Sequence, residues 1–71
     1  MILNIVSLKG DQATTETKEF SNPVCSLGNR CIWDYDQVIA STLTGETVFN
    51  WSHKGFSGKY GKQVEEYVNS L

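Results

Sequence analysis

One histidine, two cysteines and a close pair of aspartates are the residues best equipped for chemistry: Cys25, Cys31, Asp34, Asp36 and His53. A thiolate with a histidine as base and an aspartate to orient it is the usual covalent nucleophile arrangement. Any small chain with one Cys and one His passes that test on paper, and nothing local sharpens it. G-x-S-x-G, H-E-x-x-H and an Asp-rich calcium loop are all missing. Asp34 and Asp36 on one strand face would stand about 7 Å apart, a separation at which paired carboxylates do acid–base work. The plainer reading is acids on a solvent-exposed strand that resist edge pairing. Cys25, Cys31 and His53 supply three metal ligands at best, and C-x5-C matches no common zinc knuckle. No catalytic residue, metal or cofactor is expected.

Residues 51–62, WSHKGFSGKYGK, gather His53, three of the six basic residues and glycines at every third position. A Walker A loop ending at Gly58-Lys59 needs glycine at His53 and Ser or Thr at Tyr60; one ending at Gly61-Lys62 fails at Phe56 and Gln63. The G-x-G-x-x-G fingerprint fails on spacing. What remains is a weak nucleic-acid reading over 52–62, with Lys54, Lys59 and Lys62 for phosphates and Phe56 for stacking. Glu65 and Glu66 follow at once and oppose it.

A third constellation is Trp33, Asp34, Tyr35 and Asp36, an aromatic-acidic run of the kind that supplies contact hot spots with a charged rim. Trp33 as a plain core residue is the competing reading. The chain's eight aromatics exceed what one helix laid on a sheet needs to bury. The leading expectation is a non-enzymatic protein-binding module, an inhibitor or accessory regulator of the size class common among phage and mobile-element proteins. An edge strand could also pair with a second copy. A secreted effector with a Cys25–Cys31 disulfide is the third reading, with Asn50-Trp51-Ser52 as a compatible sequon.

These side chains must be positioned by a few short elements. Ile2–Leu8 is apolar on both faces, which suits a strand inside a sheet. Lys9-Gly10-Asp11 turns the chain, and GDQATTETKEF is either a loop or a hairpin arm centred on Thr17–Phe20. Ser21-Asn22-Pro23 stops it, and Ser26–Asn29 reads as a turn. Cys31–Asp36 alternates with period two and predicts a strand. Gln37–Leu43 and Thr47–His53 predict a hairpin with a Gly45-Glu46 turn, pairing Leu43 with Val48, Ala40 with Trp51 and Ile39 with Ser52. A Thr44-Gly45 turn would instead pair Ile39 with Asn50. Tyr60, Val64, Tyr67, Val68 and Leu71 form a stripe at helical period, with Ser57 as N-cap and Gly61 delaying the regular helix. The expectation is a single α+β domain, 1–71: an antiparallel sheet of three to four strands with one C-terminal amphipathic helix packed on it.

At 71 residues and a net charge of −2, no global positive field draws the chain to nucleic acid or an anionic membrane. A chain of this size buries about 7,000 Å² on folding, which leaves stability marginal and makes help from a partner worthwhile. Ile2–Leu8 is too short and interrupted for a membrane span, and Met1 is followed by no basic signal-peptide start. The expected location is the cytoplasm, the host's if the protein is viral, with free thiols. The nucleic-acid reading has a direct check: titrating single-stranded oligonucleotides should quench Trp51 fluorescence, less so at higher salt, and a flat response removes it.

Overall fold

The computed structural model describes residues 1–29 and 34–71. Along the chain run β1 (Ile2–Lys9), β2 (Gln12–Glu19), α1 (Pro23–Asn29), β3 (Gln37–Thr42), β4 (Thr47–Ser52), β5 (Gly55–Ser57) and α2 (Gly61–Asn69). The strands form one antiparallel sheet in the order β2-β1-β3-β4-β5, and both helices pack on the same face. The fold is α+β as the sequence predicts, with five strands and two helices in place of three to four strands and one helix.

β1 lies inside the sheet, paired with β2 on one side and β3 on the other. Its alternation decides which side is core: Leu3, Ile5 and Ser7 are buried, while Ile2, Asn4, Val6 and Leu8 line the opposite face. The Thr-rich segment is the hairpin arm, not a loop. Leu3 and Ile5 pack with Phe20, Leu27, Val38, Ala40, Val48, Phe49, Trp51 and Val64. The accessible surface of 4463 Å² matches the roughly 4,400 Å² expected of a folded monomer of this mass.

α1 overturns the turn expected at Ser26–Asn29. Its start is legible in hindsight: Asn22 accepts the Cys25 N–H on its side-chain Oδ1 at 3.2 Å, and Pro23 occupies the first helical position, where a missing N–H costs nothing. Tyr67 of α2 covers Gly28 so closely that a methyl group there would lie 2.4 Å from the ring. The Tyr67 hydroxyl donates to Asn29 Oδ1 at 2.8 Å.

The β3–β4 register also departs from expectation. Val38 pairs with Trp51, Ile39 with Asn50 and Ala40 with Phe49, which is the spacing of the Thr44-Gly45 alternative. The loop has three residues: the Gly45 N–H donates to the Thr42 C=O at 3.0 Å and the Thr42 N–H to the Glu46 C=O at 2.8 Å. Gly45, at φ 92°, supplies the left-handed residue that such a loop needs after a tight turn. The register then shifts between Ala40 and Ser41, a β-bulge that lets both Val48 and Phe49 turn inward. A slip of two residues preserves the faces, so the apolar side was read correctly and the partners were not.

The strand expected over Cys31–Asp36 is absent from Asp34–Asp36, which form a short bend, while Cys31, Ile32 and Trp33 lie outside the described residues. Tyr35 packs against the core and Asp36 is tied to β1, so the two do not alternate along an extended chain. α2 starts at Gly61, as the cost of glycine within a helix predicts. Its N-cap is Tyr60, with no side-chain cap, and not Ser57, whose hydroxyl donates to the Asn50 C=O at 3.3 Å from within β5. Val64 is fully buried, but Leu71 leaves the stripe and is 79% exposed.

The bulged Val48 offers its C=O to the Tyr60 N–H at 2.8 Å, and Gly58 backs directly onto that peptide. Gly58 sits at φ 91°, and a Cβ there would lie 2.8 Å from the Val48 carbonyl oxygen. Gly58→Ala should cost about 2–4 kcal/mol by urea denaturation. Gly45→Ala, at the same φ with open space around it, should cost about 1–2 kcal/mol. Equal losses would mean that the backbone contact at Gly58 contributes nothing.

Candidate functional site

Asp36 organises one end of the sheet, where the β1–β2 turn, the Asp34–Asp36 bend and the β4–β5 turn converge. Its N–H donates to the Leu8 C=O at 2.7 Å, and its Oδ2 accepts the Gly10 N–H at 2.7 Å. His53 Nε2 stands 3.6 Å from Asp36 Oδ1, and the His53 ring meets Trp51 edge-on with centroids 5.3 Å apart. The Gly10 N–H, and then His53, hold the Asp36 carboxyl below its ordinary pKa. An acid and a histidine therefore do meet. Both are well exposed, and Cys25 belongs to the first turn of α1, at the other end of the sheet. The cysteine–histidine nucleophile pair is not assembled among the described residues.

The remaining candidates scatter. Trp33 lies outside the described residues. Asp34 is exposed at the rim of a cleft lined by Ser7, Lys9, Gln12 and Thr14, and Tyr35 is half-buried against the core. Lys54 occupies the β4–β5 turn, whereas Lys59 and Lys62 lie beyond β5, toward and within the first turn of α2. Lys59 rests its ammonium 5.8 Å from the Tyr60 ring. Phe56, half-buried, sits 6.3 Å from Phe49 between ring centroids. The lysines are thus split between two ends of β5, and the aromatic meant to stack on bases serves the core instead. Cys25 is half-buried and not in a disulfide.

The largest coherent surface is one that the sequence reading did not single out. No helix among the described residues covers the second face of the sheet. It presents Asn4, Val6 and Leu8 from β1, Ala13, Thr15 and Thr17 from β2, and Gln37, Ile39 and Ser41 from β3, continuing through Asn50 and Ser52 of β4 to Ser57. Among the described strand residues on this face only Glu19, at a corner, is charged, and none is Lys or Arg. Its polar groups bond one another: Gln37 donates to Asn50 Oδ1 at 3.0 Å, and Thr17 Oγ1 bonds Asn4 Oδ1. Val6 faces Ile39 near the centre. The one available signal was the strict alternation in QATTETKE, which sends Ala13, Thr15 and Thr17 to one side and Thr14, Glu16 and Lys18 to the other.

No helix among the described residues is long and apolar enough to cross a membrane. No family model matches the sequence, and no curated protein or solved structure matches it either.

The depressed Asp36 pKa fixes a sign. Its contribution to stability is complete above the ordinary carboxylate pKa of about 3.9 and is lost as pH falls through the lower, folded value. Asp36→Asn keeps an acceptor for the Gly10 N–H and removes the charge. Thermal melts should therefore place the variant below wild type at pH 7, with the gap closing as pH falls below about 4. A gap independent of pH would show that the charge does not matter.

Proposed function

We propose that this chain is a non-enzymatic protein-binding module, in the manner of a small inhibitor or accessory factor, and that its contact surface is the open sheet face. One observation carries the reading: a face of about a dozen described strand side chains with a single charge among them, at a corner, on a chain whose composition is 20% charged. Depletion of charge, more than apolar content, marks the centre of protein interfaces. Charges interspersed over such a face would oppose association, and here the charged residues among those described, Glu19 apart, lie on the helix side, in the turns and on α2. The Ser, Thr, Asn and Gln side chains keep the face wettable in the free protein and supply hydrogen bonds to a partner's backbone. The absence of Lys and Arg from the described strand residues of this face disfavours nucleic acid as its target.

The test places one charge in the middle of the face. Ile39 is half-buried opposite Val6, and a lysine there can lay its aliphatic stem along the sheet while its ammonium reaches water, so the fold survives. Affinity capture from a lysate should enrich a specific partner with wild type and lose it, by about tenfold or more, with folded Ile39→Lys. Retention of every partner by the folded variant would sink the proposal.

A further inference from the structure

β2 is the sheet's long free edge. Its register against β1 runs one residue to one from Ile2↔Glu19 to Lys9↔Gln12, with no bulge and no proline. The Phe20 N–H donates to the Met1 C=O at 2.7 Å, just beyond the end of this ladder. That bond sets the phase: Gln12, Thr14, Glu16 and Lys18 turn their N–H and C=O groups toward β1, and Ala13, Thr15, Thr17 and Glu19 turn theirs outward. The opposite edge, β5, spans three residues. Natural sheets blunt edges of β2's length with bulges, prolines or covering segments, and an edge left regular is a template for pairing.

We propose that β2 pairs antiparallel with β2 of a second copy of this chain, about a two-fold axis at Thr17. A two-fold edge must be complementary to itself, and charge selects the register. Centred on Thr17, Glu16 of each copy stands opposite Lys18 of the other, and Thr15 stands opposite Glu19. Centred on Glu16, the two Glu16 carboxylates oppose each other. Centred on Thr15, Lys18 meets Gln12 and Glu16 meets Thr14, with no charge paired. In the Thr17 register the outward N–H and C=O groups of Thr15, Thr17 and Glu19 meet their counterparts, and the two open faces become one side of a ten-stranded sheet.

Area gives the pairing a purpose, and this step alone rests on the neutral-face reading above. Five strands at about 4.8 Å spacing, averaging about 21 Å in length, present roughly 500 Å². That is below the ~800 Å² per partner of a standard interface, and two faces side by side exceed it.

Sedimentation equilibrium on the full chain should give a concentration-dependent dimer, and a monomer at every concentration overturns the pairing. In a Cys25→Ser, Cys31→Ser background, oxidation should cross-link Thr17→Cys, whose Cα atoms would stand about 5.5 Å apart across the axis. Thr15→Cys and Ala13→Cys should cross-link far more slowly. Preferential cross-linking at Thr15 or Ala13, or at none of the three, overturns the register. Lys18→Glu sets two acids against each other twice and should weaken the dimer roughly tenfold; an unchanged dissociation constant counts against the charge pairing. These measurements read self-association alone, so they can fail while Ile39→Lys still loses its partner, and the reverse.

Discussion

Leu27 of α1 and Val64 of α2, both fully buried, press two short helices onto the same side of the sheet, against Leu3, Ile5, Val38, Ala40, Phe49 and Trp51. Seven and nine helical residues are all the helix the described chain makes, and together they cover one face of five strands. The core is accordingly one-sided. The other face meets water, while on the covered side the bulge at Val48 turns an extra side chain inward and Gly28 leaves room for Tyr67. In a domain this small, where burial and chain entropy nearly cancel, each such contact is a sizeable share of the net stability.

The uncovered face shows how water is accommodated with charge kept to one corner. Hydroxyls and carboxamides satisfy one another across strands, as Gln37 does with Asn50 and Thr17 with Asn4, and they surround a small apolar group in which Val6 faces Ile39 and Leu8 faces Ala13. A face built this way stays hydrated in the free protein yet costs little to dehydrate against a neutral partner, because the one ionised group among its described strand residues, Glu19, stands at a corner. One charge holds backbone instead. Asp36 joins three connections by accepting the Gly10 N–H, donating its own N–H to Leu8 and lying beside His53. The pair that most resembles catalytic machinery in the sequence is, in the fold, a fastening for turns.

Much of the fold was legible. The alternation of Ile2–Leu8, the aromatic face of β4 and the helical stripe of Tyr60, Val64, Tyr67 and Val68 are periodic signals that local chemistry imposes. α1 was missed because seven residues carry too little periodicity to announce a helix, although Asn22-Pro23 marks its start. The β3–β4 register was missed because both turns are good turns; the choice was made by the inward demand of Val48 and by Gly58 behind it, neither visible from the hairpin. The open face escaped notice because a surface is defined by what fails to cover it.

The sequence by itself determined which side chains share a face of each strand and helix, because backbone periods of two and 3.6 residues are fixed locally. It also determined where glycine and proline break the chain. Tertiary structure alone decided which of those faces met and which stayed bare, since that depends on how far two short helices can reach across five strands. For the same reason it dispersed Lys54, Phe56, Lys59 and Lys62 and brought Asp36 to His53. The one pairing of strands not consecutive in sequence, β1 with β3, is set by the packing of the whole core and is written in no single segment.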